Sequence, residues 1–219
     1  AEAMEQKAKL VIDEWGCWHK EGSGPSKGFN LYEQQSTMRD ALVSAITLNI
    51  FNNHCDKVQM ANVAQLVNNL HCLYLAKGEH CVATPTYYVF DMFKEHQDAE
   101  AIRCVFDDID TIEVTTPSGK KDTIPEISVS ATLKHERLHI TLANLSYDKE
   151  VEIEPVPVGF AFKKNPGLKT ELFHDDLCAC NTFEDKENVI PVCSEFVGGE
   201  KICIPAGGII SINLPIEKM

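Results

Sequence analysis

The sequence predicts an α/β region followed by an all-β region, with two β/α units preceding an antiparallel β-sandwich. Residues 1–100 alternate between apolar strand-like runs and segments whose apolar residues have helical spacing. From about Ala101 the apolar residues instead recur with a period of two, and turn-forming residues separate the runs. This change of period predicts a domain boundary near residue 100, with one domain at 1–100 and a β-sandwich domain at 101–219.

The first predicted strand is the short apolar run from Lys9 to Ile12, which ends in the acidic pair Asp13 and Glu14. Such a run is typical of a parallel strand that is buried on both faces and whose polar end emerges at a functional edge. The preceding residues, AEAMEQKAK, are helix-like and lack an initiating Met, so we expect the chain to start inside a larger architecture. A loop is predicted after the strand from its turn-forming residues, Gly22, Gly24, Pro25 and Gly28.

A helix is predicted to begin near Ser36 and Thr37, because Thr37 and Asp40 have the spacing of a capping box. Its apolar residues recur at helical spacing and should face a sheet: Met38, Leu42, Ala45, Ile46 and Phe51.

The segment 57–67 is predicted to form a second buried strand with a polar end, since its polar residues beyond the first lysine are Gln59, Asn62 and Gln65. A loop through Gly78 and Pro85 should follow. Residues 87–97 are then predicted to form a helix, although 87–90 would also suit a strand.

The remaining strands are predicted from alternating apolar residues, which form one face in each strand: Ile127, Val129 and Ala131, then Leu138, Ile140 and Leu142, then Val151 and Ile153. Turns are expected at Pro117-Ser118-Gly119 and at Gly207-Gly208. The chain ends in the strand-like run IISINL. Together these features indicate an antiparallel β-sandwich.

The composition limits the classes of function. The formal net charge of −13 leaves no basic patch for nucleic acid or an anionic membrane, whereas a neutral sugar remains compatible with it. No apolar run reaches the roughly 18 residues that a membrane span needs. The nine cysteines are odd in number and irregularly spaced, which favours reduced thiols and a cytoplasmic protein. The spacing of Cys178, Cys180, Cys193 and Cys203 does not match a zinc site, so no metal or cofactor is expected.

Glu14 is the residue with the strongest catalytic context. A carboxylate at the C-terminal end of a buried parallel strand lies where barrel enzymes place catalytic groups, and Trp15 and Trp18 supply aromatic faces for sugar rings. The alternatives are a solvated or salt-bridged carboxylate for Glu14 and a core position for the tryptophans, which we favour for Trp15.

Several motifs resemble one known family. VIDEWGCWH, LYEQQSTMRDALVSAITLNIFNNHCDKVQMANVAQLVN and TPTYYVFDMFKEHQDA are similar to the last third of the barrel of glycoside hydrolase family 51 α-L-arabinofuranosidases, and NTFEDKENVIPV resembles their C-terminal sandwich. The resemblance implies strands seven and eight of a (β/α)8 TIM barrel followed by a jelly-roll-like β-sandwich. It also implies a retaining mechanism in which Glu14 is the nucleophile, Trp18 walls the sugar subsite and Gln65 hydrogen-bonds arabinose hydroxyls. The alternative for Gln65 is a structural role in capping a neighbouring loop.

A retaining glycosidase needs a second carboxylate as acid/base, about 5 Å from the nucleophile. The family carries it in a GNE-type motif, which does not occur in these 219 residues. We therefore expect an inactive chain that completes its site with the missing N-terminal portion of the same enzyme. The resemblance further implies arabinose-containing glycans such as arabinan or arabinoxylan, exo action and a homo-oligomer. The alternatives are a noncatalytic sugar-binding or assembly fragment and an endo-acting glycosidase.

Overall fold

The computed structural model describes residues 8–19 and 35–219. The predicted helix-like start and the predicted loop at 22–28 lie outside these residues. The helices are α1 (Met38–Asn53), α2 (Pro85–Phe93) and a 3-10 turn (Lys94–His96). The strands are β1 (Leu10–Trp15), β2 (Val58–Val63), β3 (Tyr74–Lys77), β4 (His80–Ala83), β5 (Glu100–Ile102), β6 (Thr111–Thr115), β7 (Lys121–Pro125), β8 (Ile127–Lys134), β9 (Arg137–Asn144), β10 (Val151–Ile153), β11 (Phe160–Phe162), β12 (Gly167–Leu172), β13 (Val192–Phe196), β14 (Ile202–Ile204) and β15 (Ile209–Lys218).

Strands β1 and β2 pair in parallel, with α1 between them in the chain. A parallel pair needs a crossover connection, and α1 is the helix of that β/α/β unit. The expectation that both strands are buried is wrong: Val11 and Met60 are each 54% exposed. The described part of the chain does not supply the second sheet neighbour and the covering layer that would bury them. The closed (β/α)8 barrel therefore stays a prediction.

Helix α1 follows the sequence pattern closely. Thr37 is the N-cap, and the Asp40 carboxylate accepts hydrogen bonds from the backbone N–H of Thr37 at 2.8 Å and from its hydroxyl at 2.7 Å. The predicted apolar face is correct, because Met38 and Ala45 are fully buried and Leu42 is 9% exposed. Most of the helix's stability comes from packing this face rather than from intrinsic propensity.

The region between β2 and α2 differs from the predicted loop. Residues 74–83 form the antiparallel hairpin β3–β4, whose turn contains Gly78 at φ +60°. The left-handed backbone at this position favours glycine. Helix α2 confirms the helical alternative for 87–97 but begins at Pro85, because Thr84 caps it and proline suits the first helical position.

The largest sheet has the strand order β13-β12-β15-β9-β8-β5, with β11 also paired to β15. Its strand pairs are all antiparallel, and β15 is central, pairing with β12 and β9. Two smaller antiparallel pairs, β10–β14 and β6–β7, accompany it. The predicted turns connect β6 to β7 and β14 to β15.

The two faces of the large sheet bury different cores. Even-numbered residues of β9 and β15 pack with Ile202 and Ile204 of β14, in a core shared by the large sheet and the β10–β14 pair. This packing confirms the predicted inward positions Leu138, Ile140 and Leu142. Odd-numbered residues such as Ala143 and Ile209 pack against α1 and α2. The antiparallel β-sandwich is thus present and carries a helical layer on one face. The boundary near residue 100 stays a prediction. Within the described ranges, neither helix is long and apolar enough to cross a membrane.

Candidate active site

Two of the three predicted site residues, Glu14 and Gln65, lie at the C-terminal end of the β1–β2 pair, and the third, Trp18, follows β1 in the chain. Trp15 pairs with Val63, and the backbone N–H of Ala64 donates to the Trp15 carbonyl at 2.7 Å, so Glu14 and Gln65 flank the last rung of a parallel ladder. The Ala64–Gln65 peptide bond is cis. Glu14 and Gln65 are exposed, and Trp18 is 58% exposed three residues after β1 ends. The three residues therefore expose a carboxylate, an amide and an indole to solvent.

Gln65 is held by a neighbour in the same loop. Its Oε1 accepts a hydrogen bond from the Asn69 side-chain amide at 2.9 Å. The amide N–H groups of Gln65 and the second lone pair of its Oε1 remain suited to a sugar hydroxyl.

Trp15 packs among aromatic rings rather than facing the edge. Its ring lies 5.6 Å from Phe51 in an edge-to-face arrangement and 6.0 Å from Phe90 in a stacked one. This placement matches the core position that we favoured for Trp15. Its Nε1 is buried and has no hydrogen-bond partner among the described residues. The packing joins the end of β1 to both helices.

Asp40 anchors the loop that follows β1. Its Oδ1 accepts a hydrogen bond from His19 Nε2 at 2.8 Å, while Oδ2 accepts the two bonds from Thr37. Burial alone would raise the pKa of this fully buried carboxyl, but the His19 bond, nearby His71 and the Thr37 bonds outweigh it and lower the pKa below its usual value. Asp40 is therefore an ionised acceptor.

His71 provides a second anchor for the same loop. Its Nδ1 accepts the backbone N–H of Cys17 at 2.8 Å, so the neutral ring carries its proton on Nε2, which donates to Ser44 Oγ at 2.5 Å. Burial lowers the pKa of His71, which agrees with a neutral ring. Ser44, His71 and Asp40 superficially resemble a hydrolase triad, with His71 Nδ1 3.9 Å from Asp40 Oδ1. The tautomer excludes that role, because Nε2 cannot accept the Ser44 proton.

Among the residues that the structure describes, one group has the spacing of metal ligands. The ligand atoms of Cys17, His19 and Asp40 lie within 4.8 Å of one another. However, burial and the charge of Asp40 raise the pKa of the Cys17 thiol to about 12, whereas a metal requires the thiolate. The 2.8 Å separation of His19 and Asp40 is also a hydrogen-bond distance. These residues are better described as a hydrogen-bonded anchor for the loop.

Comparison with known proteins decides the family. The family model described as the α-L-arabinofuranosidase C-terminal domain matches residues 13–205. The chain belongs to this family. The "Intracellular exo-alpha-L-arabinofuranosidase" of Bacteroides ovatus is 35% identical over 215 residues, covering 96% of this chain and 40% of that protein. The "Probable alpha-L-arabinofuranosidase C" of Aspergillus clavatus is 31% identical over 147 residues, covering 65% of this chain and 28% of the relative.

Solved structures of the family agree with this assignment. The family 51 arabinofuranosidase from Xanthomonas axonopodis pv. citri superposes with a TM-score of 0.76 at 29% identity, covering 94% of this chain and 41% of that one. The Thermotoga maritima enzyme, solved as an arabinose complex, gives 0.75 at 19% identity with 94% and 43% coverage, which supports the fold. The chain therefore corresponds to the C-terminal portion of family 51 arabinofuranosidases, as the sequence motifs indicated. It spans 28% of the length of the Aspergillus clavatus relative and 40–43% of the length of the other three proteins.

Sequence reasoning missed the anchoring residues. Asp40 was recognised as a helix cap but not as the partner of His19, and His71 had no motif around it. Cys17 and His71 are 54 residues apart in the chain, so no local pattern could have connected them.

Proposed function

We propose that this chain supplies the nucleophile side of a retaining α-L-arabinofuranosidase site, with Glu14 attacking the anomeric carbon. The observation that carries the proposal is the position of Glu14: an exposed carboxylate beside the last rung of a parallel β1–β2 ladder, in a chain of the arabinofuranosidase family. Parallel strands of barrel enzymes present catalytic groups at this end.

Trp18 and Gln65 give the proposed site its sugar-binding chemistry. The exposed indole of Trp18 offers an apolar face to a furanose ring, and Gln65 reads a hydroxyl without adding charge. Retention requires a covalent arabinosyl-Glu14 intermediate, which an acid/base carboxylate about 5 Å away helps to form and then to hydrolyse. That second carboxylate comes from the upstream portion of the same enzyme.

We propose that the upstream portion covers the exposed faces of β1 and β2. Leu10, Val11 and Met60 present apolar side chains on β1 and β2, which the preceding barrel strands would cover. We accordingly propose a (β/α)8 barrel whose last two strands are β1 and β2. The alternative, a noncatalytic sugar-binding or assembly fragment, rests on the same exposed face and predicts binding without hydrolysis.

The proposed substrates are arabinose-containing glycans such as arabinan and arabinoxylan, cleaved at the non-reducing end without a metal. The name of the Bacteroides ovatus relative describes that protein as intracellular and exo-acting. We propose the same location and mode of action for this protein, together with a homo-oligomeric state.

The test is hydrolysis of 4-nitrophenyl α-L-arabinofuranoside by three preparations: this chain alone, the chain with its upstream segment, and that combination carrying Glu14→Ala. Activity is expected from the wild-type combination alone. Loss of the nucleophile should lower kcat by at least about 10³-fold, because the covalent intermediate cannot form. The neighbouring exposed carboxylate provides a matched control, Asp13→Ala, which should lose less activity than Glu14→Ala.

Azide identifies the role of Glu14. In a nucleophile variant, azide takes the place of the missing carboxylate and gives the β-arabinofuranosyl azide, with inverted configuration. In an acid/base variant it attacks the covalent intermediate and gives the α-azide. An α-azide from Glu14→Ala, or activity equal to wild type, would contradict the nucleophile assignment. Glycan binding without any hydrolysis would favour the noncatalytic alternative.

A further inference from the structure

Trp18 lies between Cys17 and His19. Each of these two residues is linked to α1 by hydrogen bonds that involve an imidazole ring. On one side, the backbone N–H of Cys17 donates to His71, which in turn bonds Ser44. On the other side, the His19 ring bonds Asp40. We call His19, His71, Asp40 and Ser44 the two-histidine clamp.

The clamp rests on a rigid base. Asp40 and Ser44 are four residues apart on α1, so they lie one turn apart on the same helix face, and both are fully buried. The helix packs through Met38, Ala41 and Ala45 into the core that it shares with the large sheet. A side chain that forms a hydrogen bond to this helix face is therefore held in a fixed position.

The loop also fits closely against His71. A Cβ added to Gly16 would meet the His71 Cβ at 2.9 Å and the Ala64 carbonyl oxygen at 3.2 Å. Only a residue without a side chain can approach the ring this closely without a shift. The chain between β1 and Trp18 is consequently held by close contact as well as by hydrogen bonds.

Trp18 itself is 58% exposed, so burial fixes only part of its side chain. Ordering an exposed residue costs conformational entropy, which its flanking bonds help to offset. Fastening the residues on both sides of Trp18 restricts the backbone torsions that decide where the indole lies relative to Glu14. This is the preorganisation that a sugar-binding surface requires.

We propose that the two-histidine clamp positions Trp18 for sugar binding, with His19 and His71 as positioning residues that do not touch the substrate. The inference rests on the proposed function and deepens it. It separates residues that contact arabinose from residues that act through Trp18. It also assigns a role to His71, a buried imidazole that the chemistry of the reaction does not use.

Variants of similar size separate the clamp bonds from simple packing. His71→Asn retains an acceptor near the position of Nδ1, whereas His71→Leu fills the space without one. His19→Gln retains a donor near the position of Nε2, whereas His19→Leu does not. His139→Leu is the matched control, because His139 is a buried histidine whose Nε2 bonds the Met92 carbonyl at 3.0 Å, away from the clamp.

The first readout is acrylamide quenching of Trp18 fluorescence in this chain. The chain has two tryptophans, so each variant is measured with and without Trp18→Phe to isolate the Trp18 signal. His71→Leu and His19→Leu should raise the Trp18 quenching constant, by up to about 1.7-fold because Trp18 is already 58% exposed, since the segment around it opens more often. His71→Asn, His19→Gln and His139→Leu should stay near wild type.

The second readout is hydrolysis by the chain combined with its upstream segment. The two leucine variants should raise KM about tenfold, with a smaller change in kcat. Each variant loses one hydrogen bond of the clamp, and Trp18 is then less often in the position that binds sugar. Unchanged Trp18 quenching in both leucine variants overturns the clamp, as does a KM increase that His139→Leu reproduces. If wild type hydrolyses nothing, the proposed function fails, whereas the quenching comparison still decides whether the clamp holds Trp18.

Discussion

His96 couples the stability of this protein to pH through the contact between the helical layer and the large sheet. Its ring is buried where the 3-10 turn meets β8 and β9: Nδ1 bonds Thr132 at 2.8 Å and Nε2 bonds Thr141 at 2.9 Å. The His139 ring lies 4.6 Å away. Burial, with a smaller contribution from His139, lowers the pKa of His96 from 6.5 to about 3.

The direction of this pKa shift decides whether the protein gains or loses stability as the pH falls. Below pH 6.5 the unfolded chain binds a proton at His96 that the folded chain does not accept until about pH 3. The stability contribution is therefore fully present above pH 6.5 and is lost as the pH falls through this window. The loss amounts to about 2 kcal/mol at pH 5 and about 5 kcal/mol below pH 3.

Urea unfolding at pH 7.5 and pH 5.0 measures this contribution. Between these pH values, wild type should lose about 2 kcal/mol more unfolding free energy than His96→Gln, which cannot titrate at this position. Titratable groups that do not contact His96 contribute equally to both proteins and cancel. His80→Gln, at an exposed histidine, should follow wild type. An equal pH dependence in wild type and His96→Gln would refute the reasoning.

Two further substitutions test the packing around the site and beneath α1. Gly16→Ala should lower the unfolding free energy by about 1–3 kcal/mol in urea titrations, because its Cβ meets His71. A loss within the about 0.5 kcal/mol that is typical of surface substitutions would contradict this. Asn49→Ala should cost about 2–4 kcal/mol in the same assay, because the buried hydroxyls of Ser130 and Thr141 each lose a 2.7 Å bond to Asn49 Oδ1. Its control is Asn53→Ala, which removes an exposed hydrogen bond to the Val129 carbonyl and should cost below about 1 kcal/mol. Equal losses of unfolding free energy in Asn49→Ala and Asn53→Ala would refute the importance of the buried network.

The predictions that succeeded rest on local periodicity. Helix α1 was predictable because its cap residues and its apolar face lie within 16 consecutive residues, and the cap bonds are present. The faces of β9 were predictable because alternate side chains point to opposite sides of a sheet, so Leu138, Ile140 and Leu142 share one core. The family could be recognised because its motifs occur in order along the chain.

The hairpin β3–β4 was missed for a related reason. Its strands have four residues each, and their mixed sequence shows no period of two strong enough to separate it from a loop. Only the turn at Gly78 carried a local signal, which is compatible with either structure.

By itself, the sequence determined the family, a β/α region that precedes a region of antiparallel strands, and Glu14 as the candidate nucleophile. Tertiary structure decided how far β1 and β2 are exposed, because burial depends on which neighbours cover a strand and not on how apolar the strand is. It also decided that Asp40 and Ser44 hold the Trp18 loop through two histidines. Such contacts join residues distant in the chain, and folding alone brings their side chains within hydrogen-bonding distance.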